Sequence, residues 1–114
     1  MTSAAQECDA IYAPTDNTVA SNTGIIDNIC LPAGVPVIAG EEGICRDCGI
    51  ATLTISYYDL GYTTGQMAVR ILNGEEDISE MPIEYAPQFT KKYNASHCDA
   101  LGITVPDDYE AIEE

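Results

Sequence analysis

The sequence predicts an α/β domain with a layered, largely parallel sheet flanked by helices. Short β-branched runs such as "VPVIAG" and "ATLTIS" alternate with segments whose apolar residues follow helical spacing. Glycine, proline and an Asn-Gly pair separate these segments, and the chain contains no internal repeat. The predicted order β-α-β-β-α-β-α is typical of parallel strands joined by helices. A chain of 114 residues suits a single such unit.

The first half of the chain carries two predicted strands and one helix. Residues 10–13, "AIYA", form the first strand, which a proline stops. A weak helix is predicted over residues 18–30, and "LPAG" closes it. Residues 35–40, "VPVIAG", form a buried strand that ends at Gly40.

The second half adds another strand, a longer helix and a terminal strand and helix. Residues 51–58, "ATLTISYY", form the strand, and Asp59 is the predicted cap of the helix that follows. The "NG" pair at 73–74 ends that helix in a left-handed turn. "IEYAPQFTKKYN" is an extended segment broken by a proline, and Asn94 caps a short helix that stops at Gly102.

The charge balance argues against a nucleic acid or a membrane surface as the partner. Four Lys and Arg residues face nineteen Asp and Glu residues, which gives a formal net charge of -15. Binding to DNA or RNA depends on clustered basic side chains, so a polyanion would be repelled. No apolar run is long enough to span a bilayer, and no signal peptide is visible after Met1.

Three predicted loops bring candidate ligand-binding residues to one edge of the sheet. Ligands of parallel α/β sheets bind just beyond the carboxyl ends of the strands. "PTDNT" supplies hydroxyl, carboxylate and amide groups, "GEEG" supplies two carboxylates, and "SYYDLG" supplies two aromatic rings. Such an edge suits a small polar ligand with a cationic group and a flat part. The candidate residues are Thr15, Asp16, Asn17, Thr18, Glu41, Glu42 and Tyr57.

Each candidate also has a simpler structural explanation. Asp16 or Thr18 can act as a helix N-cap, worth about 1 kcal/mol, although one cap does not account for all the polar neighbours. The two glutamates can belong to a solvated loop. Tyr57 and Tyr58 alternate across the predicted strand end, so one is expected to pack in the core while the other faces the ligand. Tyr57 is preferred as the ligand contact, but the assignment stays open.

The five cysteines raise a second possibility, a small metal-binding or redox protein. Cys45 and Cys48 form a C-x-x-C pair, which occurs in both kinds of site. A structural zinc site needs four ligands, and no second matching pair is present. "RDCGIATL" leads into a strand, whereas a thioredoxin-type motif opens a helix. Buried apolar cysteines, with or without a Cys45–Cys48 disulfide, are the simpler interpretation, and we expect no metal and no cofactor.

The sequence carries no recognisable catalytic motif. It has neither a nucleophile elbow nor a phosphate-binding glycine loop. Its one histidine, His97, makes triad chemistry improbable and is expected to be structural or exposed. We therefore expect a binding module rather than an enzyme, with no catalytic residues.

Four blocks of the sequence resemble, in order, the carboxyl-terminal part of a family of ABC-transporter substrate-binding proteins. The blocks are "DAIYAPTDNTVAS", "PVIAGEEG", "ATLTISYYDLGYTTGQMAVRILNGE" and "PQFTKKYNASHCDALGITVPDD". The family has the type I periplasmic-binding-protein fold, in which two α/β lobes close on a ligand, and characterised relatives are associated with tryptophan and other aromatic amino acids. The resemblance implies that this chain is a fragment of a two-lobed protein.

The resemblance also divides the chain between the lobes. Residues 1–54 would belong to the carboxyl-terminal lobe and residues 55–86 to the amino-terminal lobe after a hinge crossing. Residues 87–114 would form the return crossing, the terminal helix and the tail. The segment "ICRDCG" departs from the family pattern, because relatives usually lack this cysteine pair.

The function implied by the resemblance is capture of a small solute, an amino acid or a similar molecule. Asp16, Asn17 and one of Glu41 and Glu42 would hydrogen-bond the solute, and an ABC permease would receive it. The full-length protein would be a lipoprotein outside the cytoplasm, at the cell surface or in the periplasm. The isolated chain would leave strand edges and apolar faces exposed, which favours pairing between copies. We therefore expect a dimer or larger oligomer that binds free amino acids poorly.

Overall fold

The computed structural model describes residues 1–113 and divides the chain into two compact units. Unit 1 contains residues 1–54 and the segment from Lys91 onward, and unit 2 is Ile55–Thr90. The helices are α1 (Thr2–Glu7), α2 (Asn17–Ala20), α3 (Thr23–Ala33), α4 (Glu42–Cys48), α5 (Tyr57–Leu72) and α6 (Ala95–Leu101). The strands are β1 (Ile11–Ala13), β2 (Val37–Ala39), β3 (Ala51–Ile55), β4 (Phe89–Tyr93) and β5 (Glu110–Ala111).

The five strands form one sheet in the order β1-β2-β3-β4-β5. The pairs β1–β2, β2–β3 and β4–β5 are parallel. The predicted fold class, an α/β sheet of largely parallel strands with helices, is therefore confirmed. Among the described residues, no helix combines the length and the apolar character needed to cross a membrane.

Several predicted element ends are confirmed because local turn chemistry determines them. Gly74 follows α5 with φ 74°, and Gly102 follows α6 with φ 67°, in the left-handed region that favours glycine. Asn94 is the N-cap of α6, where its side-chain oxygen accepts a hydrogen bond from the His97 N–H. These ends depend on residues adjacent in sequence.

The single helix predicted over residues 18–30 is wrong, because two helices occupy this region. The Ser21 hydroxyl donates a hydrogen bond to the Asn17 carbonyl, and the Asn22 amide donates one to the Thr18 carbonyl. Serine and asparagine side chains compete in this way for backbone groups and interrupt helices. The chain therefore ends α2 at Ala20 and begins α3 at Thr23.

Helix α4 was not predicted, and the element order β-α-β-β-α-β-α is wrong at this point. Glu41 caps α4, since its carboxylate accepts hydrogen bonds from the Gly43 and Ile44 N–H groups. Cys45 and Cys48 lie inside this helix and are buried. The prediction that "RDCGIATL" leads into a strand is confirmed, since β3 begins at Ala51, but the helix that contains the pair was missed.

The start of α5 differs from the prediction as well. Ser56, and not Asp59, is the N-cap, because the Ser56 hydroxyl accepts a hydrogen bond from the Asp59 N–H at 3.2 Å. Tyr57 and Tyr58 are the first two residues of the helix rather than the end of a strand. Their expected alternation across a strand therefore does not occur.

The core of unit 1 lies on one face of the sheet. Ala13, Ala39 and Thr52 occupy matching positions on β1, β2 and β3, and each is at most 4% exposed. Helix α4 packs closely over this face at Gly49: a Cβ on Gly49 would lie 3.2 Å from the Ala39 Cβ and 3.0 Å from the Cys45 Cα. Helices α4 and α6 also pack against α3, so these three helices form one layer.

Candidate functional site

The structure brings the first two predicted loops together at the carboxyl ends of β1 and β2. Ala13 and Ala39, the last residues of these strands, are paired, and the Gly40 N–H donates a hydrogen bond to the Ala13 carbonyl at 2.8 Å. A Cβ on Gly40 would lie 2.7 Å from the Thr15 backbone nitrogen and 2.8 Å from its Oγ1. Only glycine leaves room for this approach. Thr15 is thus held beside the start of the "GEEG" loop.

Asp16 has a structural role that uses one of its two oxygens. Its Oδ1 atom accepts hydrogen bonds from the Thr18 N–H at 2.8 Å and the Val19 N–H at 3.0 Å, which makes Asp16 the N-cap of α2. Oδ2 makes no hydrogen bond to the rest of the described chain, and the residue is exposed. One carboxylate oxygen therefore remains available to a ligand.

Glu41 and Glu42 differ in their availability. The Glu41 Oε2 atom accepts from the Gly43 N–H at 2.9 Å, and Oε1 accepts from the Ile44 N–H at 2.6 Å. Both Glu41 oxygens are therefore engaged in capping α4, and the residue is half-buried. Glu42 is exposed, and its carboxylate bonds to no other group in residues 1–113. Of the two acids, Glu42 is the one left for a ligand.

The remaining candidates from the first loop are exposed polar groups. The side chains of Thr15, Asn17 and Thr18 form no hydrogen bond with other groups in the described part of the chain. Together with Asp16 Oδ2 they offer hydroxyl, amide and carboxylate groups. Such a set can accept hydrogen bonds from an ammonium group and donate them to a carboxylate.

Tyr57 belongs to unit 2 and is the first residue of α5. It is 60% exposed, and Tyr58 is 80% exposed. The expectation that one of the two packs in the core is therefore wrong, because the first turn of α5 leaves both rings in solvent. A role for Tyr57 in ligand binding stays a prediction.

Sequence reasoning did not single out Thr52. It is 1% exposed, and its hydroxyl has no hydrogen-bond partner among the described residues. Buried polar groups are normally paired. In the sequence, Thr52 is simply one of several β-branched residues in a strand, so no local signal distinguishes it.

Four of the five cysteines lie in the core of unit 1. Cys30, Cys45, Cys48 and Cys98 are at most 3% exposed, all five cysteines are free thiols, and only Cys8 is exposed. Burial, with a smaller contribution from neighbouring thiols and carboxylates, raises the pKa of Cys45 to about 12 and that of Cys48 to about 11. These thiols are therefore protonated and unreactive at neutral pH.

The other groups considered as metal ligands have structural contacts. The His97 Nε2 atom lies 2.7 Å from the Asp27 Oδ1 atom, a half-buried contact that joins α6 to α3. Within residues 1–113, no group of three or more His, Cys, Asp or Glu side chains is arranged to hold a metal ion.

Parallel α/β sheets bind their ligands just beyond the carboxyl ends of the strands, where the polar loops of this chain lie. The family profile described as ABC transporter substrate binding protein matches residues 1–112. The chain therefore belongs to the ABC transporter substrate-binding protein family, as its four sequence blocks predict.

A curated relative and solved structures show the same relationship. The chain is 33% identical over 75 residues to a tyrosine-binding protein of Clostridioides difficile strain R20291, an alignment that covers 66% of this chain and 21% of that protein. It is 37% identical, with a TM-score of 0.77, to the ligand-free, open structure of a Clostridium difficile substrate-binding protein with adhesive properties. That match covers 97% of this chain and 38% of the solved one.

Two further solved structures have a TM-score of 0.81. One is a conserved domain protein from Vibrio cholerae, 27% identical over 96% of this chain and 38% of that one. The other is a domain from Streptococcus pneumoniae in complex with L-Trp, 26% identical over 96% of this chain and 39% of that one. The chain thus spans well under half the length of the relatives that it matches.

Proposed function

We propose that the chain is the carboxyl-terminal portion of an extracytoplasmic solute-binding protein that delivers an amino acid or a similar small solute to an ABC importer. Family membership supports the class of protein. Relatives named for tyrosine binding and solved with L-Trp support an amino acid as the solute. We infer the permease partner and the location outside the cytoplasm from the family's role in transport.

We further propose that unit 1 is part of the carboxyl-terminal lobe and unit 2 is part of the amino-terminal lobe. The division of contacts at residues 54/55 and 90/91 supports this assignment. In a two-lobed binding protein, one lobe holds the solute and the other seals it, and the closed form docks on the permease. This mechanism requires no covalent step.

The contact of Gly40 with Thr15 is the observation that carries the proposal for the site. It brings the groups of two loops to one place on unit 1. Asp16 Oδ2 and Glu42 are the free carboxylate groups there and would hold the solute's ammonium group. The hydroxyl and amide groups of Thr15, Asn17 and Thr18 would hydrogen-bond its carboxylate. Tyr57 remains a separately proposed aromatic contact of the solute.

The test separates ligand binding from helix capping at Asp16. In a family-length protein that contains this chain, Asp16→Ser keeps a good N-cap but removes the carboxylate, whereas Asp16→Ala removes both. We expect both variants, and Asn17→Ala, to weaken L-tyrosine or L-tryptophan binding by about 1.5–3 kcal/mol in calorimetry. Only Asp16→Ala should also lower the melting temperature.

Glu41 and Glu42 provide a matched pair for the same measurement. We expect Glu42→Gln to weaken binding with little effect on stability, and Glu41→Ala to reduce stability through loss of the α4 cap. Unchanged affinity in Asp16→Ser, Asn17→Ala and Glu42→Gln would show that the solute binds elsewhere. Weaker binding in Glu41→Gln alone, at unchanged stability, would reverse the assignment of the two acids.

A further inference from the structure

Strand β3 extends beyond its neighbours at the carboxyl edge of the sheet in unit 1. Ala13, Ala39 and Thr52 lie side by side on β1, β2 and β3. β1 and β2 end at this level, whereas β3 continues to Ile55. Because a strand rises about 3.3 Å per residue, Thr54 lies roughly 7 Å beyond the last residue of β2. This is the edge at which the "PTDNT" and "GEEG" loops leave their strands.

The Thr54 side chain is buried, yet its hydroxyl is unpaired. Side chains alternate along a strand, so Thr54 shares with Thr52 the face of the sheet on which the core lies. Thr54 is 5% exposed, and its hydroxyl forms no hydrogen bond with another group of residues 1–113. Buried hydroxyls normally have a partner, and leaving one without a partner costs free energy. Burial also distinguishes Thr54 from the exposed polar groups of the two loops.

Access from the edge separates Thr54 from Thr52. Thr52 is 1% exposed, and its hydroxyl is also unpaired within the described chain. It lies in the buried row with Ala13 and Ala39, before the level at which the loops begin. Ligands of parallel α/β sheets bind beyond the carboxyl ends of the strands, which is the side of this row on which Thr54 lies. Of the two hydroxyls, that of Thr54 is therefore placed to meet a solute.

We propose that the Thr54 hydroxyl hydrogen-bonds the polar head of the solute, so that β3 completes the site begun by the two loops. This inference rests on the proposed function of unit 1, in which Asp16 Oδ2 and Glu42 hold the ammonium group of the solute. A threonine hydroxyl both donates and accepts hydrogen bonds, so it can pair with the ammonium group or with the carboxylate. Because it has no partner within residues 1–113, it gives up no hydrogen bond to the protein when the solute binds. A buried group that gains its first partner in this way adds to the affinity.

The experiment is calorimetry of L-tyrosine and L-tryptophan with Thr54 variants of a family-length protein that contains this chain. Thr54→Val keeps the shape of the side chain but removes the hydroxyl. We expect it to raise the dissociation constant of the solute that the wild type binds by at least roughly fivefold, which corresponds to the loss of one hydrogen bond. Thr54→Ser keeps the hydroxyl and should bind nearly as well as the wild type.

Thr52→Val is the matched control, because it removes a buried hydroxyl by the same substitution on the same face of the same strand. We expect it to leave the affinity unchanged. Its melting temperature should be equal to that of the wild type or higher, since the substitution removes an unpaired polar group from the core. Circular dichroism establishes that each variant is folded.

Comparison with the loop variants separates the failure of this inference from the failure of the proposed site. If Asp16→Ser and Glu42→Gln weaken binding while Thr54→Val does not, the loops bind the solute and Thr54 does not. If none of the three weakens binding, the proposed site is wrong and the inference falls with it. An equal loss in Thr52→Val and Thr54→Val would mean that packing of the strand, and not a contact with the solute, controls the affinity. If Thr54→Val does not fold, Thr54→Ala takes its place, and equal affinities of Thr54→Ala and Thr54→Ser would contradict the proposal.

Discussion

Units 1 and 2 of this chain reach order by different means. Unit 1 buries a continuous apolar cluster in which Ile44 and Cys45 are at most 1% exposed. Unit 2 contains the longest helix of the described chain, α5 with 16 residues, yet none of its residues is buried. Leu72 in this helix is 85% exposed. Burial thus stabilises unit 1, whereas unit 2 relies on local interactions.

The local interactions of unit 2 are visible around α5. Ser56 caps the helix at its start, and Arg70 near its end forms ion pairs with Glu76 and Glu84. Exposed ion pairs of this kind contribute little to stability, because solvent screens the charges and ordering two long side chains costs entropy. A cap and exposed ion pairs can therefore make a helix recognisable in the sequence while adding little to the protein's stability. Helix definition and stability are separate properties here.

The largest expected effect comes from removing a buried side chain in unit 1. We expect Ile44→Ala to lower the free energy of unfolding by about 2–5 kcal/mol, because it leaves a cavity in a packed core. Leu72→Ala in unit 2 should change it by less than about 0.5 kcal/mol. Urea unfolding at one fixed chain concentration, followed by circular dichroism, measures both. Similar losses in the two variants would contradict the proposed difference between the units.

A somewhat smaller effect is expected from Asn94, which connects two helices of unit 1. Its Oδ1 atom caps α6, and its amide donates hydrogen bonds to the Arg46 carbonyl at 2.8 Å and the Cys45 carbonyl at 3.3 Å at the end of α4. We expect Asn94→Ala to cost about 2–3 kcal/mol, since it removes a cap and leaves buried groups unpaired.

Two variants sharpen this second prediction. Asn94→Asp keeps the capping oxygen but loses the amide donor, so its loss in urea unfolding should lie between those of the wild type and Asn94→Ala. Ser56→Ala, the equivalent cap deletion in unit 2, should leave the main unfolding transition within about 0.5 kcal/mol of the wild type. An equal loss in Ser56→Ala would mean that the units unfold as one.

The smallest effect at ordinary pH concerns the buried thiols. Because burial raises the pKa values of Cys45 and Cys48 from 9.0 to about 12 and about 11, their contribution to stability is fully present below pH 9. It is lost as the pH rises toward 11–12, since the unfolded chain then releases thiol protons that the folded chain retains. At pH 10 the loss is on the order of 1 kcal/mol per thiol.

Cysteine variants check this pH dependence. The urea midpoint of the wild type should fall between pH 8 and pH 10, and Cys45→Ala should show a shallower fall, although it is less stable at both values. At pH 8 a thiol reagent should modify Cys8 alone in the folded chain and all five thiols after unfolding. Rapid modification of Cys45 or Cys48 in the folded chain would show that this core is open to solvent.

Much of the fold was predictable because the relevant signals are local in sequence. A short apolar run stopped by a proline identified β1, a β-branched run identified β2, and turn residues fixed the ends of α5 and α6 at Gly74 and Gly102. The order of strands and helices then gave a parallel α/β sheet. These features depend on backbone preferences of neighbouring residues, which a single sequence contains.

Helix α4 and the roles of the two capping acids were decided by the tertiary structure. "EGICRDC" has three charged residues, two cysteines and a glycine, so its helical character follows from burial of Ile44, Cys45 and Cys48 against the sheet. The sequence named Asp16 and Glu41 as candidate ligand contacts. Only the folded structure shows that one Asp16 oxygen and both Glu41 oxygens accept hydrogen bonds from backbone N–H groups. Composition alone determined which polar groups this chain possesses, whereas their availability depends on hydrogen-bond geometry, which exists only once the chain has folded.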